Sequence, residues 1–116
     1  MYTIYRIENS EGVGPYMRKG EFFYRNEMAV SHSNQNTHPY RSYDLAGEDL
    51  SYDQKDLLYC ACPSKQLLYK WFYGWVTKLK KENFFVVKIT VSNYIMGNSG
   101  KQCFFKQEDV ISKEII

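Results

Sequence analysis

The sequence predicts an α+β fold: a mostly antiparallel sheet of roughly four to six strands with one main amphipathic helix, at about residues 64–81, packed across it. Three observations carry this expectation. Apolar residues recur at positions 67, 68, 71, 72, 75, 76 and 79, the i, i+3, i+4 spacing of a helix with one buried face. Phe85, Val87, Ile89 and Val91 alternate with Lys88, Thr90 and Ser92, the period of a strand. Gly97-Asn-Ser-Gly100 sits between short apolar runs and reads as a hairpin turn. A length of 116 residues sets one domain, 1–116, carrying one long polar loop at 31–55.

Residues 2–8 form the first expected strand, with Tyr2, Ile4 and Arg6 on one face and Thr3, Tyr5 and Ile7 on the other. Apolar residues on both faces predict a strand covered on both sides. Glu11-Gly-Val-Gly-Pro-Tyr16 is a turn, since glycine supplies positive φ and Pro15 fixes its own. No G-x-G-x-x-G opening a helix follows, so it is not a dinucleotide fingerprint. The period of Glu21–Ser31 fits a strand or a short helix equally. Ser31–Lys55 is dominated by polar and turn-forming residues and predicts a long irregular loop with at most one helical turn near Leu45–Leu50. Loops of that length in small domains tend to be functional, and this one holds both histidines.

Leu57–Cys62 reads as a short buried strand stopped by Pro63, and Ser64 as the N-cap of the main helix. Lys78, Lys80 and Lys81 suit the helix C-terminus, and Asn83 suits the left-handed residue that ends it. Gly74, between Trp71 and Trp75, is expected to let another backbone approach. The tail, Gln107–Ile116, reads as a short helix or a last strand.

Composition narrows the function classes. Aromatic residues reach 17%, with eleven Tyr, seven Phe and two Trp, enough for an aromatic core and an aromatic binding surface. Fifteen basic and thirteen acidic residues leave a net charge of +2, which excludes an acidic nucleic-acid mimic and gives little support to a polybasic nucleic-acid binder. No apolar run approaches a membrane span, and Met1–Glu8 lacks the pattern of a signal peptide. Three unevenly spaced cysteines make no disulfide framework, so the expected compartment is the cytoplasm.

The chemistry on offer is limited. His32, His38, Cys60, Cys62 and Cys103 are metal-ligand types, but C-x-C on a strand and two histidines with five residues between them are not zinc spacings, so neither metal nor cofactor is expected. A Cys–His nucleophile needs an exposed, activated thiolate, and the pattern places no histidine beside a cysteine. A binding module needs less: the first-strand Arg6, the turn residues Gly14 and Tyr16, and the loop residues His32, His38 and Arg41 together suit a phosphate-bearing ligand or a protein surface. The alternative is a small transferase that resembles ADP-ribosyltransferases in scale, acting on a nicotinamide dinucleotide. Arg6 would hold phosphate there, Ser31 or Ser92 would orient the site, and Glu108 would stabilise the oxocarbenium charge. Lys106-Gln-Glu-Asp109 lacks the E-x-E or Q-x-E of that group, and the balance favours a binder over an enzyme.

Tyr5-Arg-Ile-Glu8, Gly12-Val-Gly-Pro-Tyr16, His38-Pro39, Lys65-Gln-Leu-Leu-Tyr-Lys-Trp-Phe72 and Gly100-Lys-Gln-Cys-Phe-Phe105 together resemble a loose family of small phage and prophage proteins. The chain departs from that pattern before the helix, where Cys60-Ala-Cys62 stands in place of Cys-Gly-Phe. The resemblance implies a host bacterial cytoplasm. It also implies an inhibitor of a host defence component, such as a CRISPR complex or a nucleotide-signalling pathway, for which the Tyr and Arg residues would supply the binding surface. The expected partner is a host protein complex or a phosphate-bearing nucleotide.

Overall fold

The computed structural model describes residues 1–116. Its strands are β1 (Tyr2–Asn9), β2 (Leu58–Ala61), β3 (Phe84–Val91), β4 (Ile95–Met96), β5 (Cys103–Lys106) and β6 (Val110–Ile115). Its helices are α1 (Arg25–Ser31), α2 (Arg41–Asp44), α3 (Tyr52–Asp56), α4 (Lys65–Trp71) and α5 (Val76–Lys81). The class is α+β with wholly antiparallel pairing, in two three-stranded sheets ordered β1-β3-β6 and β2-β5-β4.

β1 and β3 pair along their whole lengths, from Tyr2 opposite Val91 to Asn9 opposite Phe84. The other edge of β1 touches the second sheet at one bridge, where Tyr5 and Cys62 exchange backbone hydrogen bonds of 2.9 and 2.7 Å. The first strand is covered on both faces. Ile4 is buried with Ile89, Val91 and Phe105, and Ile7 with Leu68, Phe72 and Phe84 on the other side. No helix is long and apolar enough to cross a membrane.

The main helix keeps its position but divides in two. Ser64 caps α4, its hydroxyl accepting from the Leu67 N–H at 3.1 Å. The chain then turns at Phe72–Trp75 and restarts as α5, because Gly74 adopts φ +84°, a conformation costly for any side chain. A Cβ at Gly74 would meet nothing within 4 Å, so this glycine serves the turn and not a close backbone approach. Asn83 ends the unit at φ 65°.

Within Glu21–Ser31 the helical alternative holds, as α1 over Arg25–Ser31, with turn before it. The 31–55 segment is less irregular than its composition implies, because α2 and α3 lie within it. Its helical turns fall at 41–44 and 52–56, not at 45–50. A capping box, in which Ser51 and Gln54 each bond the other's backbone N–H, sets the start of α3. The tail takes both alternatives in succession, a 3-10 turn at Gln107–Asp109 and then β6.

Candidate functional site

The cavity begins where β1 and β2 part. Antiparallel ladders alternate bonded and open residue pairs. Cys62 bonds β1, so the carbonyls of Cys60 and Leu58, two and four residues back, face the same widening seam with no strand to receive them. Each must find a donor. Arg6 Nη1 donates to the Cys60 carbonyl at 2.7 Å, and Arg41 Nη1 donates to the Leu58 carbonyl at 2.8 Å. Arg41 Nη2 also donates to the Lys55 carbonyl. Two arginines from distant parts of the chain are thus drawn to one strand edge.

The resulting cavity has a volume of about 940 Å³. Arg6, Gly14, Tyr16, His32, His38 and Arg41, the residues the sequence singles out for ligand binding, all line it. Lys19 and Lys113 add cations to the wall, and Glu11 and Asp56 add carboxylates. Behind the wall, Glu8 accepts from Arg6 Nε at 2.9 Å and from Lys113 Nζ at 2.8 Å, and offsets one of those positive charges.

The arginines are not fully spent. Arg6 Nη2 and Arg41 Nε donate to no protein group, and neither is sealed from solvent. Gly14 packs directly against Arg6: a Cβ there would lie 3.2 Å from Nη2. The glycine keeps that edge of the guanidinium uncovered.

An aromatic wall adjoins the arginines. Trp71 Nε1 donates to the Tyr16 hydroxyl at 2.8 Å, and the hydroxyl in turn bonds His32 Nδ1. An indole only donates, so the Tyr16 proton is directed to Nδ1 and the His32 proton resides on Nε2. The His32 ring stacks on His38, centroids 4.0 Å apart and planes within 10°. His38 Nε2 donates to the Trp71 carbonyl at 2.7 Å, which fixes its tautomer as well.

Burial, and secondarily the neighbouring His38, lowers the His32 pKa to about 4, so the ring is neutral at physiological pH. Burial pushes the Tyr16 phenol up, against the opposing hydrogen bond from Trp71. It also raises the thiols: Cys103 to about 12, and Cys60 and Cys62 above their ordinary value, in Cys60 against the pull of Arg41 and Arg6. None is a thiolate at neutral pH, so Cys60 is a wall residue and not a nucleophile. No three His, Cys, Asp or Glu side chains converge as metal ligands.

The transferase set is not assembled. The Ser31 hydroxyl donates to the Met28 carbonyl within α1, Ser92 faces Asp109, and Glu108 is an exposed partner of Lys106. None of the three lines the cavity with Arg6.

Trp71 is the most instructive omission from the predicted site. Its helical spacing reads as core, yet it forms part of the cavity wall and holds Tyr16. The available signal was its indole N–H, which needs an acceptor and so rarely sits in a purely apolar core. Glu8 was legible as a residue two beyond Arg6 on the same strand face. Lys19, Lys113 and Gln102 reach the wall through tertiary packing alone.

No curated protein and no solved structure matches the chain. A family model does, over residues 1–116, and it bears out the resemblance to phage proteins. The chain belongs to the family described as Bacteriophage T4 Y00F protein.

Proposed function

We propose that this phage protein binds a phosphate-bearing nucleotide of the host in the β1–β2 cavity, and that it inhibits the host component which depends on that nucleotide. The observation that supports the reading is the pair of anchored arginines, each with an N–H left over, beside a wall of fixed aromatic rings. Guanidinium N–H groups suit phosphate oxygens, and planar rings suit bases. The His32 Nε2–H is also without a protein acceptor and open to solvent, and it adds a neutral donor.

The site binds and does not react. Its thiols are protonated, His32 is neutral and hydrogen-bonded, and the carboxylate bonded to Arg6, that of Glu8, is buried. Inhibition then works by mass action, through removal of free ligand.

Thermal unfolding with added inorganic phosphate, nucleosides and nucleotides tests this. Nucleotides should raise the midpoint, by about 2.7 kcal/mol of stabilisation at a ligand concentration a hundred times Kd, and nucleosides should not. Lys19→Ala, at an exposed wall residue, should weaken the nucleotide shift without changing the unliganded midpoint. If no nucleotide moves the midpoint, the proposal fails.

A further inference from the structure

We infer that the ligand is a dinucleotide whose two phosphates are separated along a sugar–phosphate linkage, one phosphate seated at Arg6 and the other at Arg41. This rests on the reading of the cavity as a nucleotide site and makes its ligand specific.

The spacing of the arginines is set by the strand that holds them. Arg6 is bonded to the carbonyl of Cys60 and Arg41 to that of Leu58, two residues apart on one strand. At ordinary strand rise those carbonyls lie about 7 Å apart. Two phosphorus atoms of a pyrophosphate share one oxygen and lie much closer together. Successive phosphates on a nucleotide strand, or the two in a cyclic dinucleotide, are spaced on this wider scale. Each guanidinium keeps one open N–H, so each can hold one phosphate.

The aromatic residues are duplicated in the same way. Arg6 lies over the ring of Tyr59, 5.5 Å from its centroid, and Tyr59 is 37% exposed and lines the cavity. Beside Arg41 in sequence is Tyr40, 54% exposed, also on the wall, its hydroxyl anchored to the Ser33 carbonyl at 3.0 Å. The cavity wall therefore carries two partly exposed tyrosine rings as stacking surfaces, and such stacking tolerates any base. A volume of about 940 Å³ is near the upper end for small-ligand sites and suits two nucleotide units better than one.

Isothermal titration of the full chain decides it, with four probes: a mononucleotide, a linear phosphodiester dinucleotide carrying a 5′-phosphate, a cyclic dinucleotide, and a pyrophosphate-linked dinucleotide. One or both phosphodiester probes should bind at least about tenfold tighter than the mononucleotide and the pyrophosphate-linked probe. The tighter of the two identifies linear or cyclic ligands as the source. Tyr40→Ala and Tyr59→Ala remove no hydrogen-bond acceptor of either arginine, and each should remove about tenfold of the dinucleotide affinity. A dinucleotide no tighter than the mononucleotide overturns the two-position reading and leaves nucleotide binding standing. Tightest binding of the pyrophosphate-linked probe overturns it as well. Absence of binding by all four overturns both.

Discussion

Glu8 and Asp44 are both buried carboxylates, 4% and 0% exposed, but Glu8 is held by cations and Asp44 by neutral donors. Glu8 receives Arg6 and Lys113. Asp44 receives the Ser99 N–H at 2.7 Å, the Ser99 hydroxyl at 2.9 Å and Gln102 Nε2 at 2.7 Å. The difference follows from place. Asp44 ends α2 and locks the 97–102 turn onto the segment that carries His38 and Arg41, and Gln102 extends the lock by donating to the Pro39 carbonyl. That joint is sealed, and neutral donors satisfy the carboxylate without importing further charge. Glu8 stands behind an open cavity, where its cations keep solvent-facing N–H groups. Charge pairing thus marks the wall of the open cavity, and dipole pairing marks the joint that only holds shape.

The lock should be the more fragile of the two. Asp44→Ala takes the acceptor from the Ser99 N–H and from one of the two Gln102 amide hydrogens, the other staying on the Pro39 carbonyl, and should cost roughly 3–5 kcal/mol in denaturant unfolding. Gly97→Ala attacks the same joint from the other side. A Cβ there would sit 2.7 Å from the Gln102 carbonyl oxygen and 2.9 Å from the Asp44 carboxylate, for a loss of about 3 kcal/mol. If both variants unfold within about 1 kcal/mol of wild type, the lock is not a structural joint and the contrast fails.

Removal of the other carboxylate sharpens the contrast through salt. Glu8→Ala leaves Arg6 and Lys113 unpaired and should cost about 2–4 kcal/mol, less than the figure for a fully buried pair because the Lys113 side chain is 31% exposed. Molar salt should shrink this loss, since the partly exposed cations are then screened, while the Asp44→Ala loss stays constant. Equal salt dependence in the two variants would erase the distinction between them.

The sequence made some of this legible and hid the rest for physical reasons. Strand alternation placed Arg6 on the face of Ile4, and turn chemistry placed Gly14 and Tyr16, because both signals are local. His32, His38 and Arg41 drew notice through their loop, although α2 and α3 within it did not announce themselves. Short helices carry too few turns for a period, and their ends depend on caps such as Ser51 with Gln54. The split of the main helix turned on Gly74, where a glycine's φ is set by tertiary packing as much as by its neighbours. The seam between the sheets left no local trace at all. Only the Tyr5–Cys62 bridge, between residues far apart in the chain, shows that Leu58 and Cys60 carbonyls must recruit arginines.

His32 gives the cavity wall a pH dependence. Its pKa falls from the ordinary 6.5 to about 4 in the folded chain. Between those values the unfolded chain takes up a proton that the folded chain refuses, so stability declines as pH falls from 6.5 to about 4. The full effect is on the order of 3 kcal/mol, and His32→Gln should flatten that part of the profile. An unchanged slope in His32→Gln would assign the titration to another group.

The smallest effect tests whether Tyr16 is a structural bridge as well as a wall residue. Tyr16→Phe keeps the ring against His32 and Phe72 but removes the oxygen that accepts from Trp71 and donates to His32. Both partners retain some access to solvent through the cavity, so the cost should be only about 1 kcal/mol. Trp71→Phe removes one of the same two bonds. The double variant should therefore lose less than the sum of the singles, with a coupling of roughly 0.5–1 kcal/mol. Strict additivity would mean that Trp71 and Tyr16 hold the wall independently. It would also remove the reason to place the His32 proton on Nε2, because that tautomer depends on Trp71 directing the Tyr16 hydroxyl toward Nδ1.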